Sequence, residues 1–294
     1  MCDSEQTLAC AHAHPGDSRV YVHPGGPMLR SMKDMEDYSI GARDGLIGRV
    51  SDFYFEDDTW VIRYLVVAMG DGPAARRKVL ISPIAIGQPD WSEKILPVSL
   101  TRSQVERSPD FDTAKPVSRQ QEMGYLGYYG YGNYWGGGGL WGAGLYPDIL
   151  QGGMQREVKA AVAADSARTP RADPHLRSGN DVMRYYVHAS DGDIGHVQGL
   201  LIDERTWAIR YLIVNTSNWW LGHQVVIAPQ WIENLNWAES TVTVDLTREA
   251  IRDAPAYDPK APFDREQEEG IHAHYGRVGY WPRDVKHAKT GSRM

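Results

Sequence analysis

Apolar residues along this chain fall in short runs punctuated by Asp-Gly, proline and acidic pairs, a pattern that reads as strands joined by tight turns. The clearest runs are "TWVIRYLVV" (59–67) and "TWAIRYLIV" (206–214), rich in β-branched and aromatic residues. Trp60, Ile62, Tyr64 and Val66 alternate with Val61, Leu65 and Val67, so both faces are apolar and the strand is expected to be covered on both sides. Tyr38, Ile40 and Ala42 alternate ahead of Asp44-Gly45, as Tyr185, Val187 and Ala189 do ahead of Asp191-Gly192. Each Asp-Gly predicts a type I′ hairpin turn, whose two central residues take positive φ. Further strands are expected at 47–56 and 194–203, at 78–82 and 224–228 where proline stops them, and running up to Leu100 and Leu246. Thr101-x-x-Gln104 and Ser118-x-x-Gln121 are capping boxes for short trailing helices, and Thr247 and Asp264 are the matching N-caps in the second half.

The elements occur twice. A shift of 147 lays Asp44-Gly45-x-Ile47-Gly48-x-Val50 on Asp191-Gly192-x-Ile194-Gly195-x-Val197, and twelve of the twenty-four positions from 44 to 67 are identical in 191–214. "LRSMKDM" (29–35) matches "LRSGNDV" (176–182). With the offset at 146, Trp91 pairs with Trp237, "LTR" at 100 with "LTR" at 246, and Tyr134-Trp135 with Tyr280-Trp281. Each unit spans about 105 residues, a domain rather than a solenoid repeat. Five or six short strands burying one interior predict two small β-barrels in tandem, since closure removes exposed edges. The expected organisation is a disordered leader at 1–27, barrel 1 with trailing helices at 28–123, a Gly/Tyr/Trp-rich and polar linker at 124–175, barrel 2 with helices at 176–281, and a tail at 282–294.

Composition narrows the class. The 294 residues are 42% hydrophobic and 23% charged, which suits a globular chain. No apolar run approaches the roughly 18 residues of a membrane span, and no secretory signal core opens the sequence. The formal charge of -7 disfavours nucleic acid, whose binding is driven by cations. Cys2 and Cys10 are the only cysteines and form no disulfide framework, which fits a reducing, cytoplasmic setting.

Asp-Gly-x-Ile-Gly-x-Val, an acidic turn, Trp-x-Ile-Arg-Tyr-Leu and a closing "LISP" or "VIAP" resemble the PRC-barrel, at 29–101 and again at 176–247. The whole, with its Tyr-Gly-Tyr-Trp tails, is similar to the tandem PRC-barrel proteins of bacteria. The resemblance implies an adaptor role: the family includes the cytoplasmic domain of the photosynthetic reaction centre H subunit and the C-terminal domain of a ribosome-maturation factor, barrels that dock on larger assemblies. No functional residue of either is carried over to this sequence.

Arg63 and Arg210 stand inside apolar strands in both copies, and buried charges are paired, so structural ion pairs with Glu56 and Asp203 are expected. Residues 124–146 hold ten glycines and eight aromatics, read as a connector whose first part packs on its barrel. The loops after the central strands differ: "GDGPAARRK" (70–78) is small and basic, whereas "NTSNWWLGHQ" (215–224) carries Trp219 and Trp220. Trp219 and Trp220, with Tyr134 and Trp135, are the candidate interface anchors. Residues 154–164 suggest a short helix and the run to 175 disorder. Cys10-x-His12-x-His14 with Cys2 has soft-metal ligand types, but a floppy leader is the expected reading, and His272 and His274 are expected as surface histidines.

No nucleophile with its base, no phosphate-cradling loop and no closed metal set is legible, so the expectation is a non-enzymatic protein-interaction module without cofactor, its partners being proteins and a homodimer included. The alternatives are a peripheral subunit of a membrane photosynthetic or electron-transfer complex, in which His196 and barrel carboxylates assist proton movement, and an RNA- or ribosome-associated factor.

Overall fold

The computed structural model describes residues 29–70, 77–111, 117–135, 138–151, 175–216 and 224–281. Trp219, Trp220, the leader with its Cys2, Cys10, His12 and His14, and the expected helix at 154–164 lie outside the described residues. The first copy runs β1 (Leu29–Ser31), α1 (Met32–Met35), β2 (Ser39–Ala42), β3 (Gly45–Glu56), β4 (Val61–Met69), β5 (Lys78–Ile81), β6 (Ile95–Pro97), α2 (Arg102–Glu106) and α3 (Arg119–Tyr129). The second runs β7 (Leu176–Ser178), α4 (Gly179–Val182), β8 (Tyr186–Ala189), β9 (Gly192–Asp203), β10 (Ile209–Asn215), β11 (Gln224–Ile227), β12 (Ile232–Asn236), β13 (Thr241–Val244), α5 (Arg248–Arg252) and α6 (Arg265–His274). The protein is mainly β, with two mixed sheets in the order β5-β4-β3-β2-β6 and β11-β10-β9-β8-β13-β12. Among the described strands only the pairs β2–β6 and β8–β13 are parallel.

Local chemistry accounts for most boundaries. Val61 to Val67 are all buried, as apolar residues on both faces of β4 require. Thr101 and Ser118 form complete capping boxes, and Thr247 and Asp264 accept from the third helical N–H. α3 continues to Tyr129, across the 123/124 boundary expected for the linker.

The Asp-Gly turns form, but in another geometry. Ala42 pairs with Gly45, so the loop is Arg43-Asp44, and Gly45 and Gly192 take φ of +135° and +140° while neither Asp44 nor Asp191 is left-handed. Each aspartate instead turns its carboxylate to the start of the helix trailing its unit: Asp44 Oδ1 accepts from Arg102 N at 2.8 Å, and Asp191 Oδ1 from Arg248 N at 2.7 Å. The second glycine of the motif serves close approach. A β-carbon at Gly48 or Gly195 would collide with the carbonyl oxygen of Ala68 or Asn215 on the neighbouring strand. Gly48→Ala and Gly195→Ala are each expected to destabilise by about 2–3 kcal/mol, read as a lower urea midpoint.

Neither sheet closes into a barrel, where two small β-barrels in tandem are expected from the sequence. The reason lies at Pro83 and Pro229, which lack the N–H that would extend β5 and β11 and which open 3-10 turns at 83–85 and 229–231. In the second copy β12 leaves that turn directly and pairs with β13. In the first only isolated pairings occur there, Ile86 with Val98 and Asp90 with Ile95.

The two copies are knitted together by exchanged strands. β1 of the first copy adds to β9 of the second, with Arg30 opposite Ile202. β7 of the second adds to β3 of the first, with Arg177 opposite Phe55. Side chains repeat the exchange: Arg30 Nε lies 2.8 Å from Glu204 and Arg177 Nε 2.9 Å from Asp57, while the two guanidiniums cover Trp91 and Trp237 at 3.7 and 4.4 Å.

A pseudo-two-fold axis passes between Val61 and Ala208, which occupy the same place in the two copies and bridge to each other. Around it Ile62 N donates to Trp207 O at 2.8 Å, and Ile209 N to Trp60 O at 2.7 Å. Trp60 and Trp207 are both left-handed, at φ 55° and 59°, a conformation unusual for a bulky side chain that these reciprocal bonds hold in place. The copies differ beside the axis, where the Met32 side chain fills the space over Gly179 that a β-carbon would need.

Candidate functional site

The side chains with most chemistry gather where β3 turns into β4, and again where β9 turns into β10. β3 ends on Glu56 and β9 on Asp203, so each carboxylate faces the arginine at the start of the returning strand. Arg63 Nη2 meets Glu56 Oε2 at 2.6 Å, with Thr59 Oγ1 donating to the same oxygen at 2.9 Å. Arg210 Nη2 reaches Asp203 Oδ2 and Thr206 Oγ1, both at 3.1 Å.

The trailing helices complete both clusters. Three residues apart on α3, Arg119 and Glu122 share one face; Arg119 Nη2 lies 3.0 Å from Glu56 Oε1 and its Nη1 3.3 Å from Glu122. Glu122 is fully buried, accepts from the Tyr134 hydroxyl, and lies 2.6 Å from His175 Nε2 at the head of the exchanged strand. In the second copy Arg265 pairs with buried Glu268 at 3.1 Å, and the Tyr211 hydroxyl donates to Glu268 at 3.0 Å and sits 3.0 Å from His272 Nε2. The tails lie across the guanidiniums. Arg63 is 3.9 Å from the Tyr134 ring and Arg119 4.4 Å from Trp135; Arg210 is 3.8 Å from Tyr280 and Arg265 4.2 Å from Trp281.

Burial and charge pull these groups in different directions. Burial pushes the Glu56 carboxyl up, but the Arg63 charge and hydrogen bonds from Arg63, Arg119 and Thr59 outweigh it and hold Glu56 below the usual carboxylate range. For Glu268 burial dominates over Arg265 and the hydrogen bonds of Tyr280 and Tyr211, and the group is raised. Burial lowers His272 and raises the Tyr64, Tyr134 and Tyr211 hydroxyls. Because Glu56 is depressed in the fold, its contribution is present above its unfolded pKa and is lost as pH falls through its folded value. Glu56→Gln is therefore expected to cost about 2–3 kcal/mol at neutral pH, with the gap to the native chain closing below pH ~4 in urea melts run across pH.

Chemically the two clusters are clamps, in which every charge is opposed by a partner and the arginines bind helix, strand and tail into one wall. Tyr134 is only 3% exposed and serves this interior instead of a partner surface, and Trp135 is half-buried beside Arg119. His272 departs from the surface position expected of it: it is 3% exposed, because α6 turns it inward against Trp231 and Trp281. His274 stays exposed, its Nε2 2.8 Å from the Ala250 carbonyl. Sequence reasoning missed Arg119, Glu122, Arg265 and Glu268. Their signal was present, since "R-x-x-E" recurs at the offset of 146 in both trailing helices.

One part of the first cluster has no described counterpart in the second. Arg63 Nη1 donates to the Leu140 carbonyl at 2.7 Å, and the fully buried Trp141 ring lies 4.7 Å from the same guanidinium. The Trp141 indole N–H crosses to the second copy, donating to the Thr206 carbonyl at 2.8 Å. Leu145, Tyr146 and Ile149, just beyond, are exposed, with Arg205 4.8 Å over Tyr146. Among the described residues no group of three or more His, Cys, Asp or Glu side chains is placed to hold a metal ion, and no helix is long and apolar enough to cross a membrane. No protein-family model matches the chain, and no curated protein matches it.

Proposed function

We propose that the chain is a non-enzymatic adaptor built from two PRC-type β-barrels in tandem, which presents one binding surface twice to a protein partner. The barrel reading rests on strand adjacency. In each copy the ladder runs from the strand before the proline to the strand that meets the segment after it, and the 3-10 turn joins the two ends covalently. The observation that carries the function is the pseudo-dyad with its exchanged strands, which fixes two like surfaces in one body and so raises the effective concentration of the second contact once the first is made. The clamps support the same reading, since their charges are spent on holding helices and tails to the sheets.

The test is affinity capture from the source cells with the intact chain, against a Trp219→Ala/Trp220→Ala variant with unchanged circular dichroism and melting temperature. Stoichiometric capture of a defined protein that is lost with the variant supports the adaptor. Retention of the chain on salt-washed membranes, or no captured protein, overturns it.

A further inference from the structure

The pseudo-dyad generates two equivalent clefts at the junction of the copies, and among the described residues only the first holds a segment from beyond its own clamp. The first is formed by Arg63, Tyr134 and, across the junction, the Thr206 carbonyl, and it holds Leu140–Trp141. The second is formed by the equivalents Arg210, Tyr280 and the Thr59 carbonyl, with the same residue types throughout. Its state differs at each of these points. The Arg210 side chain is 15% exposed where Arg63 is 2%, and Arg210 Nε is buried without a hydrogen-bond partner. Thr59 is exposed where Thr206 is 7%, and Trp60 is half-buried where Trp207 is 4%.

We propose that this second cleft binds a tryptophan-bearing peptide segment of a partner protein, held as Leu140–Trp141 is held in the first. The occupied copy specifies the chemistry. A backbone carbonyl accepts from the guanidinium, an indole ring lies against it, and the indole N–H donates to a threonine carbonyl. Glycines flank the pair: Gly139 bridges to Gly142 and Trp141 to Gly144, a tight turn that lets the backbone approach the arginine. Tryptophan offers the strongest cation–π face and an indole donor together, and arginine with tryptophan is a recurrent anchor of protein interfaces. At the offset of 146 Leu140 and Trp141 correspond to Lys286 and His287, and the thirteen residues after Trp281 contain no Trp, Tyr or Phe, so that stretch brings no indole of its own. Asp58 stands where Arg205 covers Tyr146, so the match between the two clefts ends before that position. The identity of the occupant as a protein rests on the adaptor reading.

The probe is a fluorescent peptide with the sequence of residues 138–144, GGLWGAG, titrated into the intact chain. Saturable one-to-one binding is expected, with amide resonances of Thr59, Trp60 and Arg210 shifting in the native protein. Affinity should fall about ten-fold when the peptide carries Trp141→Ala, and by a similar factor with Arg210→Lys, which keeps the charge beside Asp203 but loses the free donors of the planar fork. The site is overturned by absence of saturable binding, by affinity indifferent to either change, by shifts at Thr206 and Trp207 instead, or by binding that emerges only after residues 282–294 are removed. A null titration from a chain that still captures its cellular partner would overturn the site and leave the adaptor reading in place.

Discussion

Arg63→Met is expected to lower the stability of the chain by about 3–5 kcal/mol, the range for removing one member of a buried charged set. Glu56 would keep Arg119 and Thr59 but lose its closest cation, and the Leu140 carbonyl would lose its donor. The Tyr134 and Trp141 rings would then face a thioether in place of a guanidinium. Arg210→Met should cost clearly less, about 1–3 kcal/mol, because that side chain is partly hydrated and carries fewer bonds. Urea unfolding of both variants, at constant m-value, measures the difference. Equal losses would mean that the Leu140–Trp141 cover contributes nothing to the first clamp.

A chain cut between residues 152 and 174, through an inserted protease site, is expected to stay in one piece. Each half would still hold a strand of the other's sheet, two arginine–carboxylate pairs would bridge them, and Trp141 would remain anchored to Thr206. An interface of exchanged strands with an apolar axis should hold the fragments with a Kd below about 1 μM. Size exclusion with light scattering would then return the intact mass after cleavage, and Ala208→Asp, which places a charge on the axis opposite Val61, should release two species. Separation of the fragments of the native sequence under native conditions would show that the ladders between copies do not hold them.

The strand content was legible because it depends on local chemistry. Period-two alternation marks β2 and β8, apolar residues on both faces mark β4 and β10, and the caps of all four trailing helices were written in single side chains. The arginine–carboxylate partners of β4 and β10 were also legible, since a buried guanidinium leaves few ways to satisfy it. What escaped is non-local. "LRS" was visible as a repeated string, yet three residues carry no pattern that says which sheet they join, and the answer is the other copy's. The Asp-Gly pairs mark where the chain turns but not its conformation there, because the helix N–H that draws each aspartate is 58 or 57 residues away. The residue type of Tyr134 suggests an interface anchor, and only the packing of Arg63 and Glu122 around it explains its burial.

The contact of Met32 with Gly179 beside the axis has a bearing on how such a molecule can evolve. A true homodimer must place the same residue on both sides of its dyad, so every change there is made twice and a bulky side chain meets its own copy. Joining the halves in one polypeptide lifts that constraint: a large thioether can face a bare backbone, knob to hole, and each half can drift independently. Symmetry then survives as scaffolding while the two flanks become free to specialise.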